Sequence, residues 1–158
     1  MDIATRFREY ARLDRLRRES GLTLADEARF HALRRFLSIH FAPDQPEAAS
    51  ELRDSVRVPA RINVSFSTDN ELVRCLMTNV SRGGVFVQTD HPLALKTTFT
   101  LHIHVDDPKR EIAVPVEVVS VGVGPNFARN KQGMGLRFLD LRPEVEKQLR
   151  ELYESSVR

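Results

Sequence analysis

The stretch RINVSF, residues 61–66, decides the architecture. Ile62, Val64 and Phe66 alternate with Arg61, Asn63 and Ser65, so one face of an extended chain is apolar and the other polar. Downstream, the stretches ELVRCLMTNV (71–80), GVFVQT (84–89), TFTLHIHV (98–105), REIAVPVEVVSVGV (110–123) and QGMGLRF (132–138) read as further strands. Asp-Asn, Pro-Leu, Asp-Asp-Pro and Gly-Pro-Asn clusters separate them as turn material. Six strands with no helix between them predict an antiparallel sheet that curls shut into a barrel.

Outward from the strands the period changes. Ile3, Phe7, Tyr10 and Ala11 recur at spacings of three and four, Leu13 and Leu16 extend that side, and Gly21 is a natural helix stop. Thr23 can cap a second helix whose first turn carries Asp26 and Glu27. Its apolar stripe runs through Leu24, Ala28, Phe30, Leu33, Phe36, Leu37 and Phe41. Residues 1–42 therefore predict a helical hairpin, 43–52 a linker with Pro46, and 53–158 a barrel domain. That domain ends in a helix that opens at Pro143 and repeats Val145, Leu149 and Leu152. The class is mainly β with flanking helices. Two amphipathic helices have too little core to stand alone, so the hairpin must pack on the rest of the chain or form a homodimer with another copy.

Composition narrows the function. With 158 residues, 41% of them hydrophobic and 29% charged, the chain can bury a core, and its apolar runs are too short to span a bilayer. Acids and arginines interleave from Met1 onward, which predicts no secretion signal, no membrane insertion and a cytoplasmic location. A lone cysteine, Cys75, sits in strand-like surroundings and reads as core. The formal charge of +2 is too small to argue for nucleic acid, and no paired aromatics suggest base stacking. Lys96, Lys109, Lys131 and Lys147 are the only lysines among 24 cationic side chains, so the chain favours the planar guanidinium fork.

Catalytic constellations are missing from the sequence: it has no strand-to-helix phosphate loop, no GxSxG and no HExxH, so no catalytic residue is assigned and no enzyme is predicted. His102 and His104 share a strand face and read as solvated side chains rather than metal ligands, and no metal or cofactor is expected. Two other stretches carry more. In RDSVR, Arg53 and Arg57 precede Pro59, which disfavours helix at Val58, so both arginines lie on an extended lead-in to the first strand. In NVSRGG, Asn79 and Ser81 offer an amide and a hydroxyl at a strand end, followed by Gly83 and Gly84. From residues alone the second stretch fits a polar-capped hairpin turn as well as a ligand shelf.

Together, Arg53-x-x-x-Arg57 and Asn79-x-Ser81-x-x-Gly84, with GMGLRF at 133–138, resemble the signature of the PilZ domain family over roughly residues 50–155. The resemblance implies a six-stranded antiparallel barrel that receives the second messenger cyclic di-GMP. It also implies roles: Arg53 and Arg57 clamp guanine and phosphate from a mobile lead-in, Asn79 and Ser81 hydrogen-bond a guanine, and Gly84 keeps the wall clear. The output would be contact with an unidentified protein partner. The alternative is a PilZ-like adaptor that binds no nucleotide, although such members usually lose the arginines kept here. Leu52 stands where many members have another arginine, which favours a single ligand molecule. Arg61, Arg82 and Arg137 read as solvated, as does the RLDRLRR run (12–18) with its Asp14.

Overall fold

A computed structural model of the chain describes residues 2–41, 56–68, 71–106, 109–123 and 132–157. Two helices, α1 (Ile3–Glu19) and α2 (Leu24–Phe41), precede strands β1 (Val58–Thr68), β2 (Glu71–Val80) and β3 (Gly84–Gln88). Strands β4 (Thr98–Asp106), β5 (Lys109–Val123) and β6 (Gln132–Phe138) follow, and helix α3 (Pro143–Ser155) comes last. All neighbouring strands pair antiparallel in the closed order β1-β2-β3-β6-β5-β4, with β4 returning to β1 at Val64↔Ile103. This is the expected six-stranded barrel with flanking helices. Period-two alternation drives it: Val64, Phe66, Met77, Val87, Leu101, Ile103, Val114 and Met134 are all at most 1% exposed.

The ladder breaks in three places, between Pro59 and Ile62 in β1, Met77 and Asn79 in β2, and Val118 and Ser120 in β5. One row of paired residues adjoins all three: Pro59 faces Asn79, Asn79 faces Phe86, Phe86 faces Gly135, and Gly135 faces Ser120. Bulges sharpen twist and re-aim side chains, so this row is where the barrel wall departs from regular pleating. Pro59, which cannot donate to a ladder, sits next to such a break.

The helices cap the barrel and share its core. Asp2 accepts the Thr5 N–H at 2.7 Å to start α1, and Gly21, at φ 89°, ends it in a conformation that costs glycine little. Thr23 Oγ1 accepts the Asp26 N–H at 3.2 Å, as the sequence predicts. Phe7, Tyr10 and Leu13 of α1, Phe30, Leu33 and Leu37 of α2, and Leu149, Leu152 and Tyr153 of α3 join one buried cluster with barrel residues such as Val58 and Val80. Each buried leucine or phenylalanine contributes roughly 1.5–3 kcal/mol of transfer free energy, so this shared cluster supplies the hairpin with a core it lacks by itself.

Two expectations change. The stripe of α2 is narrower than its sequence suggests: Leu24 is 88% exposed, and Phe36 is 40% exposed under the Arg6 guanidinium at 4.1 Å. Asp14, read as part of a wet face, is only 2% exposed. It lies four residues after Tyr10 and seven after Phe7, on the apolar stripe rather than opposite it.

Candidate ligand-binding cleft

The lead-in to β1 alternates. Val56 and Val58 are buried, which turns Arg57 outward between them. The Val56 N–H donates to the Tyr10 hydroxyl at 3.1 Å, and the Tyr153 hydroxyl donates to the Val56 carbonyl at 2.5 Å. Helices α1 and α3 thus satisfy both backbone groups of the residue next to Arg57. The expected mobile lead-in is therefore anchored from Val56 onward, because its valine, its N–H and its carbonyl are all engaged inside the fold. Arg53 lies outside the described residues.

Arg57 is exposed at the mouth of a cleft of about 210 Å³ that Asn79, Ser81, Gly84, Phe86 and Arg137 also line. The surrounding chain still strips enough water to hold its guanidinium below the ordinary arginine pKa. It stays charged at neutral pH, and no carboxylate among the described residues pairs with it. Asn79 sits at the β2 bulge, half-buried, and its side-chain amide meets no partner among the described residues. Ser81 differs: its N–H and its hydroxyl both donate to the Gly84 carbonyl, at 2.9 and 3.2 Å. Its proton is thus committed to closing the turn, which leaves the hydroxyl oxygen of this cleft-lining residue only its lone pairs to offer as an acceptor.

Four of the five residues singled out from the sequence, Arg57, Asn79, Ser81 and Gly84, meet at this cleft. The geometry gives Gly84 a second reason to be glycine. A Cβ there would collide with the Leu136 carbonyl oxygen of β6, so the close approach is to the neighbouring strand and not only to open space. Gly83 carries a ladder of its own, since its carbonyl accepts the Phe138 N–H at 3.0 Å.

Other residues were not legible as site-forming. Val119, the extra residue of the β5 bulge, is 51% exposed on the cleft wall beside Ser120. The only sequence signal for it is an apolar run, VEVV, that breaks the alternation of β5. Arg137, read as solvated, lines the cleft while donating to Glu117 at 2.6 Å. Arg82, also read as solvated, turns away from the cleft to Asp14, with Nε 3.1 Å from the carboxylate.

Elsewhere on the barrel, the Glu111 carboxylate lies 3.3 Å from His102 Nδ1 and 3.4 Å from His104 Nδ1, and His104 Nε2 is 2.9 Å from Ser65 Oγ. No cluster that could hold a metal occurs among the described residues. No helix among them is long and apolar enough to cross a membrane.

Comparison with known proteins agrees with this architecture. The family model described as PilZ domain matches residues 51–155. No curated protein sequence matches the chain. Among solved structures, the PilZ domain with c-di-GMP of YcgR from Escherichia coli aligns at a TM-score of 0.58 and 19% identity, covering 66% of this chain and 91% of that one. The Bacillus subtilis inhibitor of motility, MotI/DgrA, aligns at 0.55 and 22% identity over 64% of this chain and 49% of its own. The K. pneumonia MrkH–c-di-GMP complex aligns at 0.54 and 14% identity over 63% and 49%. The chain thus spans about half the length of MotI/DgrA and MrkH. At these identities the likeness is one of fold, while the family match runs from the lead-in through the barrel to α3. The chain belongs to the PilZ domain family.

Proposed function

We propose that the cleft binds cyclic di-GMP and that the protein is a receptor, not an enzyme, which passes the messenger's level to a protein partner. One observation carries this reading: Arg57 stands in the cleft as a partly desolvated cation with no carboxylate partner among the described residues, beside an unengaged Asn79 amide. Such a pair suits an anion attached to a hydrogen-bonding heterocycle. Cyclic di-GMP supplies two phosphates and two guanines. Arg57 forks onto a phosphate or onto guanine O6 and N7, and Asn79 offers both a donor and an acceptor to a guanine edge. Ser81, with its proton already given to Gly84, accepts from a guanine N–H.

A cleft of about 210 Å³ is smaller than the roughly 300–1,000 Å³ of sites that enclose drug-sized ligands, so it holds one half of the messenger. Arg53 would close on the other half from the preceding segment. With Leu52 in place of a further arginine, a single messenger molecule per site is the expected stoichiometry. The YcgR PilZ domain and MrkH have both been solved with c-di-GMP, which supports the same ligand class here. In this reading the linker 43–52 joins the hairpin to the 53–158 receptor domain, and the hairpin's packing on that domain makes it part of the receptor.

Isothermal titration calorimetry with cyclic di-GMP tests the proposal. Arg57→Ala and Asn79→Ala are each expected to weaken binding by about tenfold or more, from the loss of one or two hydrogen bonds to a charged or polar edge, with little change in melting temperature. No heat up to high micromolar ligand, or full affinity in both variants, would overturn it.

A further inference from the structure

We infer that α1 is a positioning element of the nucleotide site, acting through Tyr10 and Asp14, which hold the two ligand-contacting segments from behind. The inference rests on the receptor reading above and extends it to a helix that precedes the residues matched by the family model. Tyr10 receives the N–H of Val56, the neighbour of Arg57. Asp14 pairs with Arg82, which lies between Ser81 and Gly83 in the second segment. Four residues apart, the two side chains stand on the same face of α1 about 6 Å apart along its axis, so one rigid helix grips two segments that are distant in sequence.

Both grips are built into the interior. Tyr10 is fully buried and stacks on Phe30 of α2, with centroids 5.4 Å apart and planes 13° from parallel. Burial, and the Asp14 charge beside it, push the Tyr10 phenol above its usual pKa, so the hydroxyl keeps its proton. The Asp14 carboxylate, 2% exposed, lies 3.1 Å from Arg82, 3.4 Å from Arg17 and 3.5 Å from Arg18. A carboxylate is tolerated at such depth only when cations meet it, and removing it disturbs every partner. Neither Tyr10 nor Asp14 lines the cleft.

Holding Arg57 and the Ser81–Gly84 turn in place before ligand arrives removes conformations that binding would otherwise have to freeze out, which tightens affinity without any contact to ligand. By linkage, ligand that fixes those segments must in turn stabilise α1. Loss of either grip is therefore expected to weaken cyclic di-GMP binding about fivefold or more.

The experiment titrates cyclic di-GMP into the wild-type chain, Tyr10→Phe, Asp14→Asn, Arg82→Gln and the Asp14→Asn/Arg82→Gln double variant, with melting curves for each. Glu9→Gln, on α1 but paired with Arg29 away from the cleft, is the control. Weaker binding is expected for Tyr10→Phe and Asp14→Asn but not for Glu9→Gln. The double variant should bind no more weakly than the worse single one, the signature of two residues acting as a unit. Hydrogen exchange across residues 7–16 should slow when ligand is added to the wild type. Tyr10→Phe keeps the ring and so the core, which guards against a variant that merely fails to fold. If the wild type binds, and Tyr10→Phe and Asp14→Asn bind equally well while only their melting temperatures fall, the positioning role is refuted and the receptor reading stands. If the wild type itself gives no heat, the receptor reading falls and this inference with it.

Discussion

Replacing Phe7 with alanine tests whether hairpin and barrel unfold as one body. Phe7 is fully buried, with its ring edge-on to Tyr153 of α3 at 5.0 Å, edge-on to Phe41 of α2 at 6.4 Å and tilted against Tyr10 at 6.2 Å. Truncating a phenylalanine so placed costs about 3–5 kcal/mol, from lost transfer free energy and the cavity left behind. That is a large share of the roughly 5–15 kcal/mol that holds a domain together. For a chain of this length each kcal/mol moves the melting temperature by roughly 2–4 °C, so a fall of about 6–20 °C is expected. The assay is far-UV circular dichroism on heating, paired with hydrogen exchange of peptides from α1 and from β4, which pairs with β5 and β1 in the barrel. Because Phe7 shares a core with α3 and the barrel, both peptides should lose protection together in one transition. Two separate transitions, with the β4 peptide unmoved, would refute the shared-core argument and make the hairpin an independent appendage.

Further outcomes follow from the same geometry. Gly84→Ala places a Cβ against the Leu136 carbonyl and is expected to destabilise the fold by about 1–3 kcal/mol in urea titration; an unchanged midpoint would mean that β6 shifts there without cost. Arg29 donates to both oxygens of Glu9 at 2.9 Å, and this holds the Glu9 carboxyl below the usual glutamate pKa. A carboxylate with a depressed folded pKa stabilises the protein above its unfolded value of about 4.3, and that contribution disappears as pH falls through the lower folded value. Glu9→Gln should therefore flatten the acid limb of stability below about pH 5, while a limb identical to wild type would deny the pair any role.

The family signature was readable because its two elements are short, ordered and spaced by strands whose alternation is plain. Arg57, Asn79 and Ser81 were nominated by the two stretches taken together as a signature, since NVSRGG alone fits a hairpin turn equally well, and they share a cleft. The part played by Val119 was not readable. It depends on one extra residue in β5 against β6, and pairing register emerges only when the strands meet. Gly84 could be nominated but not explained, because the atom that forbids a side chain there belongs to Leu136, more than fifty residues away. Asp14 carried a local clue, its place on the stripe of Phe7 and Tyr10, but a carboxylate on an apolar stripe has no meaning until its cations are known.

The sequence by itself determined which segments are strands and helices, since hydrophobic period is a property of near neighbours along the chain, and it carried the two spaced stretches that resemble the family signature. Tertiary structure alone decided that the first helix grips both of those segments, that the bulges fall in one row, and that Asp14 lies buried among arginines. Those outcomes depend on groups that come within a few ångströms only when the barrel closes, where the cost of burying a charge or an unpaired amide is set by whatever partner has arrived.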